Sequence, residues 1–141
     1  MGRVLGIDFG KKRIGLARSD PMKMIASPFK TIQAGNTLEE TADLICQELE
    51  GVETLVMGLP LHLSGKESEM TSLVRELVPL LERKSGLPLI LWDERLTSKQ
   101  VEKLLIEGGI SRKKRTAYVD QMSATLILQN YLDSLEPPSA T

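Results

Sequence analysis

Two short segments of the chain are apolar at nearly every position, and they restrict the fold more than any other feature of the sequence. They are Thr54-Leu55-Val56-Met57 and the segment from Leu87 to Trp92. A strand without polar alternation is typical of parallel strands that are covered on both faces. Amphipathic stretches follow both segments, so the sequence predicts an α/β fold built on two strand-helix units.

The opening stretch, residues 4-17, predicts two further strands that are joined at Gly10. A two-residue period places Val4, Gly6 and Asp8 on one face of the first strand. A carboxylate on a covered face is costly unless it is paired, hydrogen-bonded or bound to a metal. Asp8 is therefore either a turn residue that caps the bend at Gly10 or part of a functional site, and both interpretations stay open at this point.

An antiparallel meander opens the predicted sheet. Residues 3-9 and 12-18 form its hairpin, and Ile25 to Gln33 form the third strand, where Pro28 favours an edge position. Helices are expected from Asn36 or Thr37 to Gly51, over residues 67-84 with a kink at Pro79, from Thr97 to Gly108-Gly109, and from about Val119 to Leu135 after a basic connection at residues 110-118. The pattern predicts a mixed five-stranded sheet, three antiparallel strands followed by two parallel strands, with flanking helices.

Composition limits the classes of function. No apolar run in the 141-residue chain approaches the roughly 20 residues that a membrane span needs, and the N-terminus lacks the apolar core of a secretory signal. We therefore expect a cytoplasmic protein with a single domain over residues 1-135 and a disordered tail over residues 136-141. One cysteine, Cys46, and one histidine, His62, argue against a zinc site of Cys and His ligands.

Charge is unevenly distributed, although the net charge is only −1. Lys11-Lys12-Arg13 follows Asp8, and Arg112-Lys113-Lys114-Arg115 forms a second basic run. Solvated loops are the commonest explanation of such runs. Runs that flank a cluster of carboxylates would instead suit contacts with phosphates.

Three segments can each bring a carboxylate to one edge of the predicted sheet. Asp8 ends the first strand, Asp93 and Glu94 end the last strand, and Asp120 shares a helix face with apolar residues such as Ala124. Converging carboxylates repel one another at pH 7, and a divalent cation relieves that repulsion. Oxygen ligands suit Mg²⁺ or Mn²⁺, and two such ions can promote phosphodiester hydrolysis. The pattern predicts a nuclease site, unless the acids only cap turns and helices.

Four motifs together resemble the YqgF family, also called RuvX-like. They are Gly6-Ile7-Asp8-Phe9-Gly10 with Gly15-Leu16-Ala17, Met57-Gly58-Leu59-Pro60-Leu61 with Gly65, Trp92-Asp93-Glu94-Arg95-Leu96-Thr97, and Val119-Asp120 followed by Ser123-Ala124. The motifs cover essentially the whole chain in order. The resemblance implies an RNase H-like fold and a metal-dependent nuclease, described for this family as acting on Holliday junctions or on precursor 16S ribosomal RNA.

Carried over residue by residue, the family's acidic positions fall on Asp8, on the Asp93-Glu94 pair and on Asp120. Within the pair we favour Glu94, whose longer side chain reaches further beyond the strand end, with Asp93 as a supporting or alternative ligand. The predicted ligands of Mg²⁺ or Mn²⁺ are thus Asp8, Glu94 and Asp120. The predicted phosphate contacts are the cationic side chains of Lys11, Lys12, Arg13, Arg95, Arg112, Lys113, Lys114 and Arg115. His62 stands where relatives often carry another polar residue, which argues against a catalytic role for it.

Several functions stay open on the sequence. The leading hypothesis is an endonuclease for precursor ribosomal RNA, acting on the RNA alone or on a ribosomal particle. A junction-resolving DNA endonuclease is the runner-up, and it would normally work as a two-fold homodimer rather than as a monomer. A non-catalytic nucleic-acid-binding module is a further alternative. A nucleotide phosphotransferase is disfavoured, because such proteins close two related domains over the nucleotide and 141 residues supply one.

Overall fold

The computed structural model describes residues 2–62, 64–93, 107–109 and 111–135, and for residues 112–121 it describes the backbone alone. The strands are β1 (Arg3–Asp8), β2 (Arg13–Ser19), β3 (Ala26–Gln33), β4 (Val52–Leu59) and β5 (Leu89–Asp93). The described helices are α1 (Leu38–Cys46), α2 (Glu69–Ser85) and α3 (Arg112–Ser134). The strands form one sheet in the order β3-β2-β1-β4-β5.

Strand β1 lies at the centre of this sheet. It pairs antiparallel with β2 and parallel with β4, and β4 pairs parallel with β5. The outer strand β3 pairs antiparallel with β2, and Pro28 lies opposite Ala17, where the register shifts. The predicted mixed sheet is confirmed, as is the edge position of Pro28, which has no N–H to donate to a further strand.

Alternating side chains of the sheet divide the core into two layers. One layer lies between the sheet and helices α1 and α2, and its strand residues include Leu5, Ile7 and Met57. The other lies between the sheet and α3, and its buried members are Val4, Ala17, Val56, Ala124, Ile127, Leu128 and Leu132. Because Val56 and Met57 enter different layers, β4 is apolar on both faces, as its sequence predicted.

Helix α1 begins where the sequence predicted but ends earlier. Thr37 caps it, and its hydroxyl accepts a hydrogen bond of 3.1 Å from the N–H of Glu40. The helix ends at Cys46 rather than at Gly51. Gly51 instead takes a left-handed conformation, with φ of 74°, in the turn that leads into β4. The prediction of the helix end was wrong because this glycine serves the turn and not the helix.

The spacing of apolar residues predicted the extent of α2 well but missed the start of α3. Helix α2 continues through Pro79, as predicted, and the exposed position of Pro79 lets water reach the carbonyl that loses its donor. Helix α3 begins at Arg112, so the basic connection predicted over residues 110-118 is wrong from residue 112 onward. Arg and Lys have high helix propensity, so a basic run can begin a helix without an apolar stripe.

Two further predictions fall largely on parts of the chain that the structure does not cover. Residues 97–106 of the helix predicted from Thr97, and the tail predicted to be disordered at residues 136–141, lie outside the described residues. None of the helices in the described ranges has the length and hydropathy of a membrane span.

Hydrogen bonds connect the start of α2 to the residue that follows β4. Ser68 Oγ accepts from the N–H of Thr71 at 3.2 Å, and Thr71 Oγ1 accepts from the N–H of Ser68 at 2.9 Å. The Thr71 side chain is fully buried and donates its hydroxyl to the carbonyl of Pro60. One hydroxyl group therefore joins the helix cap to the segment that follows β4.

Replacing Thr71 with Val should lower the free energy of unfolding by about 1–3 kcal/mol, because the partly buried Pro60 carbonyl and Ser68 N–H lose their partner. Urea denaturation followed by circular dichroism measures this change. Ser72→Ala is the matched control, since Ser72 is exposed and its hydroxyl makes a long 3.4 Å contact. Equal losses of stability in the two variants would contradict the role given to Thr71.

Candidate active site

The carboxyl ends of β1, β4 and β5 meet at one edge of the sheet, which we call the rim. Met57 pairs with Ile7 on one side and with Leu91 on the other. Asp8 therefore follows directly at the end of β1, and Asp93 lies two residues beyond Leu91 at the end of β5. Since β4 separates these strands, their backbones lie about 10 Å apart. Asp8 and Asp93 therefore both lie at the rim.

The two carboxylates nevertheless belong to opposite faces of the sheet. Gly6 packs against α3, and strand alternation places Asp8 on the same face. Leu89 and Leu91 belong to the core layer beneath α1 and α2, so Asp93 lies on that second face. Asp8 is half-buried and Asp93 is exposed. Of the two, Asp8 alone shares the face of the sheet that α3 covers.

Helix α3 passes directly over β1 because residue 6 has no side chain. A Cβ atom at Gly6 would lie 2.8 Å from the Cβ of Leu128 and 3.0 Å from the carbonyl oxygen of Ala124. The first distance is shorter than carbon atoms tolerate, and the second is a tight contact with helix backbone. Any larger residue at this position would have to move the helix.

The direction of α3 follows from its contacts further along. Gln129 Oε1 accepts from the N–H of Ala26 at 2.8 Å. Ala26 pairs with Ser19, and Ser19 Oγ accepts from the N–H of Val4, so Gln129 lies toward the start of β1. The N-terminal half of α3 therefore extends in the opposite direction, toward the rim. Asp120 belongs to that half, one helical turn before the contact with Gly6.

Several predicted site residues cannot be located in this way. Glu94 and Arg95 lie outside the described residues, and the structure gives only the helical backbone for Asp120 and for the run 112–115. Within the described ranges, no three His, Cys, Asp or Glu side chains are close enough to share a metal ion. The three-carboxylate ligand set therefore stays a prediction.

The basic turn after Asp8 is exposed at the rim. Lys11 Nζ forms an ion pair of 3.0 Å with Glu69 at the start of α2. Lys12 and Arg13 are exposed and have no carboxylate partner in the part of the chain that the structure describes. The ion pair shows that the start of α2 lies beside this turn, and Lys12 and Arg13, unpaired within the described ranges, give the rim positive charge.

The segment after β4 folds back on itself as a short hairpin, of which residues 60–62 and 64–67 are described; we call it the rim hairpin. Leu61 forms an antiparallel bridge with Glu67, and the N–H of His62 donates to the carbonyl of Lys66 at 3.0 Å. Arg75 of α2 donates two hydrogen bonds, of 2.9 and 2.8 Å, to the Glu67 carboxylate.

These bonds from Arg75 hold the pKa of Glu67 below its ordinary value. A lowered carboxyl pKa means that the contact is complete above the ordinary range for Glu and is lost as the pH falls through the lowered pKa. The attachment of the rim hairpin to α2 is therefore fully present at neutral pH.

Sequence reasoning missed the contribution of α2 to the rim. Glu69, Thr71 and Arg75 hold the basic turn or the rim hairpin in place, and none of them was singled out. The available signal was the spacing of Ser68 and Thr71, which predicts a helix start directly after a strand-end loop. In parallel sheets such helix starts lie at the edge where ligands bind. His62 is exposed in the rim hairpin, and no contact in the described part of the chain gives it a catalytic role.

A family model described as "RuvX: Holliday junction resolvase" matches residues 2–134. A relative from Protochlamydia amoebophila is 44% identical over 140 residues, covering 94% of this chain and 93% of the relative. Another, from Koribacter versatilis, is 42% identical over 134 residues, covering 94% of this chain and 87% of the relative. Both carry the name "Putative pre-16S rRNA nuclease".

Solved structures show the same fold at low sequence identity. The Holliday junction resolvase of fowlpox virus has a TM-score of 0.58 at 12% identity, over 94% of this chain and 99% of that one. RuvC of T. thermophilus, solved in complex with a Holliday junction substrate, has a TM-score of 0.54 at 14% identity, over 98% of this chain and 100% of that one. The predicted RNase H-like fold is confirmed by these resolvases.

Replacing Gly6 with Ala should lower the free energy of unfolding by about 1–3 kcal/mol, because the added methyl group overpacks the contact between β1 and α3. Thermal and urea denaturation measure the loss. Gly108→Ala is the matched control, since Gly108 is exposed and has no left-handed φ, so its substitution should be neutral or slightly stabilising. A Gly6→Ala protein as stable as the parent would contradict the close approach described above.

Proposed function

The chain belongs to the RuvX family, whose model matches residues 2–134, and on this basis we propose that it is a metal-dependent endonuclease that matures precursor 16S ribosomal RNA. The names of the relatives at 44% and 42% identity support this substrate. The observation that carries the proposal is the rim itself. The half-buried carboxylate of Asp8 and an exposed basic turn lie at the rim, and the N-terminal half of α3 extends toward it.

The proposed ligands of Mg²⁺ or Mn²⁺ are Asp8, Glu94 and Asp120. All three are carboxylates, and such oxygen ligands suit hard divalent cations better than zinc. When bound, the cations supply an activated water and charge stabilisation of the leaving oxygen. The position of Asp93 on the opposite face from Asp8 supports Glu94 as the member of the acidic pair that belongs to this site.

The basic side chains of the rim bind and orient the nucleic acid in this proposal. Lys12 and Arg13 are exposed and lack carboxylate partners within the described ranges, so they attract phosphates that flank the bond to be cut. Arg95 and the run 112–115 add to this attraction. Because the run forms the first turn of α3, its four charges begin a helix that carries Asp120, rather than a loop remote from it.

We place the activity in the cytoplasm, on precursor RNA alone or within a ribosomal particle. A monomer suffices for this reaction, because one strand is cut. A second candidate function is the resolution of Holliday junctions, which the description of the family supports. That reaction cuts two symmetric strands and normally requires a two-fold dimer.

Replacing Asp8 with Asn should reduce cleavage of a precursor 16S rRNA fragment by roughly 100-fold or more, because a charged group at the reacting centre is lost. RNA binding should be retained or strengthened, since the change removes negative charge. Single-turnover assays with and without Mg²⁺ measure cleavage, and fluorescence anisotropy in EDTA measures binding. Asp93→Asn is the matched control, and it should retain most of the activity.

Three results would revise this proposal in different ways. Unchanged cleavage in the Asp8→Asn protein would remove Asp8 from the active site. Efficient cutting of a synthetic four-way junction by a stable dimer, with no cutting of the precursor RNA, would favour the resolvase. Binding of both nucleic acids without cleavage of either would favour a non-catalytic binding module.

A further inference from the structure

We infer that the rim hairpin is a preformed nucleic-acid contact, in which the ammonium group of Lys66 binds a backbone phosphate of the strand that enters the site. The inference rests on the proposed nuclease function and deepens it. It adds a contact on the α2 side of the rim, where sequence reasoning placed none.

The rim hairpin stands next to the proposed site. It follows directly from the end of β4, the strand that lies between β1 and β5. Its second arm leads into the start of α2, where Glu69 contacts Lys11 at 3.0 Å. Lys11 belongs to the basic turn that follows Asp8. The hairpin therefore flanks the rim between the two strands that carry Asp8 and Asp93.

Independent contacts hold the hairpin in position without any ligand. Thr71 bonds to the carbonyl of Pro60 at the base of the first arm. Leu61 and Glu67 bridge the two arms. Arg75 clamps the Glu67 carboxylate with two hydrogen bonds to α2. A segment that is already ordered loses little conformational entropy on binding, so such anchoring favours affinity.

Some cations at the rim form ion pairs that hold the hairpin or the basic turn in place, whereas Lys66 is exposed to solvent. Arg75 is paired with Glu67, and Lys11 is paired with Glu69. Lys66 is exposed and makes no ion pair with any residue that the structure describes. Its neighbour Glu67 is engaged by Arg75 and does not neutralise it. A cation that has no partner among the described residues, on an anchored hairpin beside the proposed nuclease site, suits a phosphate oxygen.

The first experiment measures binding of a fluorescein-labelled precursor 16S rRNA fragment and of a labelled four-way DNA junction, in EDTA so that no cleavage occurs. Lys66→Ala should weaken binding of whichever of these two nucleic acids the parent chain binds, roughly 5- to 10-fold near 0.1 M salt. The slope of log affinity against log salt should fall in magnitude by about 0.7–0.9. Lys84→Ala is the matched control: it removes the same charge at the far end of α2, where Lys84 pairs with Asp43.

A second variant separates the anchoring from general electrostatics. Glu67→Ala makes the protein more positive, so charge alone predicts tighter binding of nucleic acid. Loss of the two hydrogen bonds to Arg75 predicts weaker binding instead. The control is Glu82→Ala, which makes the same change in charge at an exposed position on α2. We expect Glu67→Ala to bind about 3-fold more weakly than this control. Tighter binding by Glu67→Ala than by Glu82→Ala would count against a positioned hairpin.

The outcomes distinguish this inference from the proposed function. If the parent chain binds and Lys66→Ala matches Lys84→Ala in affinity and salt slope, the hairpin contact is overturned while the nuclease proposal stands. If the parent chain binds neither RNA nor junction, both are overturned. Weaker binding and a lower salt slope for Lys66→Ala, against an unchanged Lys84→Ala, would support the contact.

Discussion

The contact between Gly6 of β1 and the backbone of α3 is the constraint on which the rest of the site depends. It lets a helix approach the central strand so closely that the carbonyl of Ala124 would lie 3.0 Å from an added Cβ. Asp8 lies two residues further along the strand, and Asp120 lies one turn earlier on the helix. Since a displacement of about 1 Å can greatly reduce the activity of a catalytic site, the missing side chain at residue 6 matters for the proposed site, because it sets the separation of the two segments that carry these proposed ligands.

The sequence was sufficient to predict the sheet because its strands carry distinct signals. Continuous apolarity predicted the buried strands β4 and β5, and Pro28 predicted the edge. The start of α3 was missed because the first turns of that helix depend on the propensity of Arg and Lys, and not on an apolar period. A search for apolar periodicity therefore overlooks helical turns that depend on residue propensity instead.

The sequence predicted which residues of the candidate site lie at strand ends, but not which side chains form ion pairs there. Asp8 and Asp93 lie at the rim as the pattern indicated, but the face of Asp93 follows only from the packing of Leu89 and Leu91 beneath α1 and α2. In contrast, the pair of Lys11 with Glu69 joins residues from distant segments. No local pattern encodes such a pair, since it depends on how β1 and α2 come together in the fold.

The two core layers also have a consequence for synthesis of the chain. The β1–β2 hairpin and the α1–α2 layer use residues that leave the ribosome early, whereas α3 is the last described helix to emerge. Until it does, Val4, Ala17 and Val56 lack the residues of α3 that cover them. An incomplete nascent chain therefore presents an apolar sheet face, which invites chaperone binding or association with other unfinished chains.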